Sequence, residues 1–499
     1  RVDHLVGALE TFSKTRAEAS LTATKVGGRC ACETARGLGV RELIAAIRAE
    51  CGRPFVIGLK LPGDDGVPGS IDLAEARRIA AAVAAGGDVD YWTFAWGAHA
   101  NSLYRHLPDA HGERHPYLGA IRDLRQAAPD IATGALGYIT DANECERALT
   151  DGTADLVFLG RPLITDPAFA NKAFAGREAE IRYCVSCNTC WRTIIEGGRL
   201  ECDNNPRVGT ADEERWEPKP ARSKRRIVIV GGGIAGLEAA QTAARRGHDV
   251  TLFAASAEVG GKTRLHAELP GGENLSSIYD YQYLAGRAAG VRFELGVMAT
   301  PGDIAAAKPD TVLLASGAAL GVPAFVPAEF AADGLIPDLR ALAAEMLGRG
   351  GREPGRLLLL DRDHTEMTYA AAELFAARFE RVTIVTPRER LASDCSLVNR
   401  QGIYQRLHDR GIGIVTSAEP RDLDRLERAE VELVNIYNGA QTIIDDIAAI
   451  SYATARVPDD RLLEPLESAG FKVDRIGDCR APRSVLAATR EGYDVAMAL

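Results

Sequence analysis

Between residues 55 and 183, short apolar runs alternate with Ala-rich amphipathic stretches. The runs fall at 55–61, 90–97, 131–137 and 156–161, and the stretches between them include 72–85 and 142–149. Apolar runs of that length, separated by helical periodicity, predict repeated β–α units and a parallel sheet. The pattern restarts at Lys224, where Arg-Arg-Ile-Val-Ile-Val leads into a helical run, and continues with a strand at 249–253. A third set begins with Gly-Arg-Leu-Leu-Leu-Leu-Asp at 355–361. Residues 203–223 are polar and carry Pro218 and Pro220, which marks a linker. The chain is therefore predicted to divide into 1–180, 181–222, 223–334 together with 459–499, and an inserted 335–458.

Composition narrows the picture only a little. A length of 499 residues suits about three domains, each with a core. The net charge of −10 argues against a nucleic-acid-binding surface. No apolar run approaches the roughly 18 residues of a membrane span. No basic segment followed by an apolar one marks a secretory signal, and the chain begins at Arg1. A cytoplasmic protein is expected. Six of the ten cysteines (Cys30, Cys32, Cys51, Cys145, Cys395 and Cys479) are scattered and read as reduced thiols.

The other four carry chemistry. Cys184, Cys187, Cys190 and Cys202 are spaced C-x2-C-x2-C-x11-C. Three thiolates at intervals of three residues wrap one corner of a cubane, and a fourth closes the site from a later loop. Zinc sites usually present two separated C-x2-C pairs, so the spacing favours [4Fe–4S] over zinc. A cluster moves single electrons and calls for a second redox group nearby.

Each apolar run before the cysteines ends in residues suited to a site: Lys60, Trp96 with Gly97, Gly134 with Gly137, and Gly160 with Arg161. In a (β/α)8 barrel the strand C-termini carry the active site, and a phosphate sits after the last two strands. Gly134, Gly137 and Gly160 would admit a phosphate to backbone N–H groups, and Arg161 would neutralise it. After the cysteines, Gly231, Gly233 and Gly236 form G-x-G-x-x-G between a β-run and a helical run, the context of a dinucleotide fingerprint. An acid to bind the ribose should follow the next strand, but Ala254 and Ala255 stand there, leaving Ser256 or Lys262. Gly261, the run 314–317 and Asp478 within Ile-Gly-Asp complete the expected cofactor contacts. The third set lacks a fingerprint. Its first strand is followed by Asp-Arg-Asp-His-Thr-Glu, with no glycine and with Asp361, Asp363 and Glu366 expected to face a pyrophosphate, so nicotinamide binding is not expected there.

Ala154-Asp-Leu-Val-Phe-Leu-Gly-Arg-Pro-Leu-Ile-Thr-Asp-Pro167, Asn171-Lys-Ala and Ile181-Arg-Tyr-Cys resemble the old yellow enzyme superfamily of FMN barrels. The similarity is to its iron–sulfur branch, which includes trimethylamine dehydrogenase and 2,4-dienoyl-CoA reductase, and it covers roughly residues 30–499. It implies an α/β chain: the C-terminal part of a (β/α)8 FMN barrel, a [4Fe–4S] segment, and a Rossmann-like FAD- or ADP-binding domain carrying the inserted module. Gly27, Gly28 and residues 33–36 resemble the segment after the family's fourth strand. The first four strands are expected either upstream or in another chain, and the non-Met start favours the former.

The resemblance further implies that Lys60 lies near FMN N1/O2, and that Asp478 contacts the flavin ribityl chain or diphosphate. Amine dehydrogenases of the branch bind no nicotinamide, and this chain looks like that kind. The implied function is oxidative N-demethylation of a small methylated amine or N-methyl amino acid such as dimethylglycine. Electrons would pass from FMN to [4Fe–4S] to an electron-transferring flavoprotein, and the assembly is expected to be a homo-oligomer or heteromeric complex. The rivals are an NAD(P)H-dependent enoate reductase and an electron-transfer subunit. Trp92, Trp96 and Trp191 are candidates either for an aromatic bowl round a methylated ammonium or for core packing. The loop 97–116 carries His99, His106, His111 and His115 with Asp109, Glu113, Arg105 and Arg114, which suits substrate contact or proton transfer and equally a solvated loop.

Overall fold

The computed structural model describes residues 29–499 except 87, 212 and 214–216, with side chains from residue 40 onward. Gly27, Gly28 and the side chains of Cys30, Cys32 and residues 33–36 lie outside the described residues. Two compact units form: the first takes in described residues up to Leu107 with Glu113–Leu159, and the second Pro108–Gly112 with Gly160–Leu499.

In the first unit, strands Gly58–Asp64, Tyr91–Trp96, Ala132–Ala135 and Leu156–Val157 make one parallel sheet in chain order. Helices start where the sequence supplies caps. Asp72 accepts from the Glu75 amide at 2.8 Å, and Asp141 and Glu144 form a reciprocal capping box. Trp92, Phe94 and Trp96 alternate onto the side packed by Ala76, Ala80, Ile121 and Leu124. The first strand runs past the expected end at 61 to Asp64. Pro62 does not stop it because this strand is at the edge of the described sheet, where a missing N–H costs no ladder bond. Lys60 is therefore mid-strand and exposed, and Asp64 takes the strand end.

The second unit holds two parallel sheets. Five strands run in the order Val473–Arg475, Thr311–Leu314, Arg226–Val230, Asp249–Ala254, Arg292–Leu295. The chain order reverses about Arg226–Val230, the switch point at which such sheets bind ligands. A second sheet orders Gly413–Val415, Phe379–Val385, Glu353–Asp361 and Ile447–Ala453. Its central run, Leu357 to Leu360, is buried on both faces, as helix-covered parallel strands require. Residues 353–453 enter between two neighbouring strands of the first sheet and so form an insertion. No described helix is long and apolar enough to cross a membrane.

Candidate functional site

The five-stranded sheet opens into a cleft of about 580 Å³ lined by Gly231–Gly233, Gly260, Gly261, Lys262, Ser316 and Asp478. Gly231 sits at φ +124°, and a Cβ there would come within 2.1 Å of the Ala315 carbonyl oxygen. Gly236 meets the Gly231 carbonyl at 2.0 Å in the same sense, so helix Ile234–Arg245 packs tightly on its strand. Gly233 is different. It caps that helix with open space where a side chain would be, leaving the amide end accessible to an anion. Gly260 bonds back to the Gly232 carbonyl at 2.7 Å, bringing Gly261 to the cleft.

Across the cleft, Asp478 pairs with Lys262 and accepts from Arg456 at 2.9 Å. Burial opposes its ionisation, but these two cations hold its carboxyl below the ordinary range. Lys262 is thereby committed to Asp478 rather than to a ribose. Ser256 does line the cleft, where its Oγ accepts from the Glu258 amide. Glu258 lines it too, an acid four positions beyond Ala254 that the strand-end rule missed.

The four cysteines are reduced, with Cys184 and Cys202 buried. Backbone amides face the sulfurs. Ser186 N donates to Cys184 Sγ at 3.4 Å, and Thr189, Trp191 and Asn204 serve Cys187, Cys190 and Cys202. Ser186 and Asn188 adopt φ +53° and +59°, which turns the loop between the first three thiols. Burial pushes the Cys202 thiol up to about 12, and the neighbouring cysteines raise one another further. Among the described residues no three His, Cys, Asp or Glu side chains converge on a point that one metal ion could occupy.

The strand-end residues fare unevenly. In the first unit Gly134 lacks a Cβ because the Phe158 ring would lie 2.1 Å from it, which is packing. Gly137 has φ +117° and the Tyr117 ring against it. Trp92 and Trp96 do not form a bowl. Trp92 is fully buried and donates to Thr133 Oγ1 at 2.8 Å, while buried Trp96 stacks on Tyr117 at 4.5 Å. Both point to the helix-covered side because strand residues of one parity share a face. His106 Nδ1 lies 3.0 Å from the Trp96 carbonyl, His115 Nε2 lies 2.8 Å from buried Glu144, and His99 is exposed. Arg105 pairs with Asp64 at 3.1 Å, and Arg114 pairs with Glu144.

In the second unit Gly160 precedes the short helix Arg161–Thr165, with space round it. Arg161 Nη1 donates to the Pro108 carbonyl at 3.0 Å and to Asn188 Oδ1 at 2.5 Å, beside the cysteine loop. Trp191 is half-buried on helix Thr189–Ile195. The tip Pro108–Gly112 also belongs here: Asp109 accepts from Arg406 at 3.1 Å, and His111 Nε2 meets His266 Nε2 at 2.9 Å. Those partners replace the substrate contact expected of Asp109 and His111.

The turn after Glu353–Asp361 corrects the sequence reading. Asp361 is buried and accepts from Tyr369 Oη at 2.6 Å and the His364 amide at 2.9 Å. Asp363 lies 3.4 Å from Arg456, and Glu366 is hydrogen-bonded by Asn399. These acids are partnered rather than arrayed against a phosphate. His364 holds φ +55° in this turn, and no glycine stands between the strand and helix Glu366–Arg378.

A family model described as an NAD(P)-binding Rossmann-like domain matches residues 229–292. The chain is 30% identical over 490 residues to the N,N-dimethylglycine/sarcosine dehydrogenase of Chromohalobacter salexigens, covering 90% of this chain and 69% of that one. It is 31% identical over 362 residues to a probable N-methylproline demethylase of Rhizobium meliloti, covering 72% of this chain and 52% of the relative. The chain thus spans about half the length of the latter. A solved histamine dehydrogenase from Rhizobium sp. 4-9 shares the fold at a TM-score of 0.80 and 22% identity, over 93% of this chain and 69% of that one.

Fold, cleft and relatives define a class, the flavin oxidoreductases with a Rossmann-like nucleotide domain. Within that class, the chain belongs to the old yellow enzyme, or NADH:flavin oxidoreductase, family, in its iron–sulfur branch.

Proposed function

We propose that this chain is the electron-handling part of an iron–sulfur flavoprotein that oxidatively N-demethylates a small methylated amine or N-methyl amino acid. Bound FMN would accept hydride from the N-methyl carbon, and a [4Fe–4S] cluster would pass electrons singly towards an electron-transferring flavoprotein. The observation that carries the reading is the turn at 361–366, which offers no glycine for the close backbone approach that a nicotinamide pyrophosphate requires. The two relatives' names supply the substrate class.

The donor chemistry fits the cluster. Four buried or half-buried thiols, each facing a backbone amide, make a donor set suited to a cluster. The open amide end at Gly233 and the clash-limited Gly231 and Gly236 suit an FAD or ADP diphosphate, with Asp478 held ionised by Lys262 and Arg456. For the FMN phosphate we assign Gly160 and Arg161, at the start of helix Arg161–Thr165. The four chain-ordered parallel strands of the first unit are consistent with the later part of a (β/α)8 barrel.

Anaerobic stopped-flow spectra of the complete protein test the proposal. A methylated amine should bleach the flavin within a catalytic cycle, and NADH or NADPH should not. Rapid reduction by NADPH with none by any amine would establish the enoate-reductase alternative instead.

A further inference from the structure

The insertion at 353–453 has no assigned task once nicotinamide binding is set aside, yet one of its side chains reaches the cysteine loop. Asn399, in the first turn of helix Leu397–Asp409, donates from Nδ2 to the Cys187 carbonyl oxygen at 3.0 Å. Its Oδ1 accepts from Asn188 Nδ2 at 2.8 Å. Asn188 Oδ1 in turn accepts from Arg161, so a continuous buried polar chain runs from Arg161 through Asn188 to Asn399 and on to Glu366. Both asparagines are 1% exposed. Asn399 is itself fixed, because its amide donates to the Ser396 Oγ cap at 3.2 Å.

We propose that Asn399, presented by the insertion, is a positioning residue that sets the reduction potential of the cluster. This rests on the cluster reading above. Asn188 holds φ +59°, the conformation that turns the chain between Cys187 and Cys190 and directs the Thr189 amide at the Cys187 sulfur. The Asn399 carboxamide grips this peptide from both sides, through the Cys187 carbonyl and the Asn188 side chain. A cluster gains one negative charge on reduction, and amide dipoles aimed at its sulfurs stabilise that state. Loosening the grip removes such a dipole and lowers the midpoint.

The test is a spectroelectrochemical or EPR-monitored redox titration of the complete holoprotein. Asn399→Ala, Asn399→Asp and the control Gln405→Ala, an exposed change on the same helix, are compared with the unaltered protein. Asn399→Ala should keep full iron and sulfide and move the midpoint down. Asn399→Asp, which retains the acceptor for Asn188 but adds negative charge, should move it further, towards a tenfold change in the oxidised-to-reduced ratio, or about 59 mV for one electron. Gln405→Ala should leave it in place. Unchanged midpoints in loaded Asn399 variants overturn the proposal. Loss of iron from both Asn399 variants also overturns it, since Asn399 would then build the site rather than tune it. Absence of iron and sulfide in the unaltered protein is a different result: it refutes the cluster itself.

Discussion

Arg182 Nη2 lies 2.9 Å from Glu238 Oε1, with side chains only 4% and 0% exposed. The pair joins the segment that leads into the cysteines to the helix of the dinucleotide fingerprint. Gln241 and Gln282 also donate to the Glu238 carboxylate, at 2.8 and 2.9 Å, so the buried charge is well satisfied.

Breaking this pair from one side should cost more than removing it whole. Arg182→Met leaves Glu238 ionised and buried, a loss of about 3–5 kcal/mol. Adding Glu238→Leu should recover most of that loss, because the stranded charge disappears with its partner. Denaturant unfolding of the two proteins checks the order, and a double variant weaker than the single would refute it.

Glu366 gives a pH signature. Burial, followed by the Asp109 charge, pushes its carboxyl from an ordinary 4.5 up to about 7, against the opposing Asn399 hydrogen bond. Between those values the native state holds a proton that the unfolded chain has released, so stability falls as pH rises through the window. Above it the full penalty applies, at most roughly 3 kcal/mol. Glu366→Gln should therefore be more stable than the unaltered protein at pH 8, and the two should converge towards pH 4.5. Thermal melts across pH measure this, and a gap that does not narrow on acidification would contradict it.

The fingerprint glycines should separate folding from binding. Gly231→Ala drives a Cβ to 2.1 Å from a backbone oxygen at positive φ and should unsettle the sheet. Gly233→Ala meets nothing in the protein and should fold normally, yet it intrudes where a diphosphate would approach. Melting temperatures and calorimetric titration with ADP distinguish the two. Normal ADP affinity in folded Gly233→Ala would remove the diphosphate from this helix end.

Cys187→Ala should abolish iron, acid-labile sulfide and broad visible absorbance together. One equivalent of zinc without sulfide in the unaltered protein would replace the cluster with a structural metal.

The strands and helices were largely legible because their signals are local. The Ala-rich stretches at 72–85 and 142–149 and the unbroken Leu357–Leu360 run each declare an element without tertiary help. The fingerprint glycines were equally plain, since their spacing falls between a β-run and a helical run. Side-chain direction was not legible. Trp96 looked like a rim residue until strand parity put it against Tyr117, and Asp361 looked set to face a pyrophosphate until Tyr369 and His364 claimed it. Long-range partners hid the rest. Nothing near Asn399 in sequence announces Cys187, which stands 212 positions away.

The tip Pro108–Gly112 has a consequence for biosynthesis. Its flanks finish in the first unit, but Asp109 must wait for Arg406, 297 residues later in the chain. During synthesis the first-unit sheet can form while this carboxylate still lacks its arginine. Nor can the gene be divided once to give two self-sufficient pieces, because the chain leaves the first unit at 107, re-enters it at 113 and leaves again at 159. A fragment ending near residue 160 would carry an orphaned tip whose partners lie only in the missing piece.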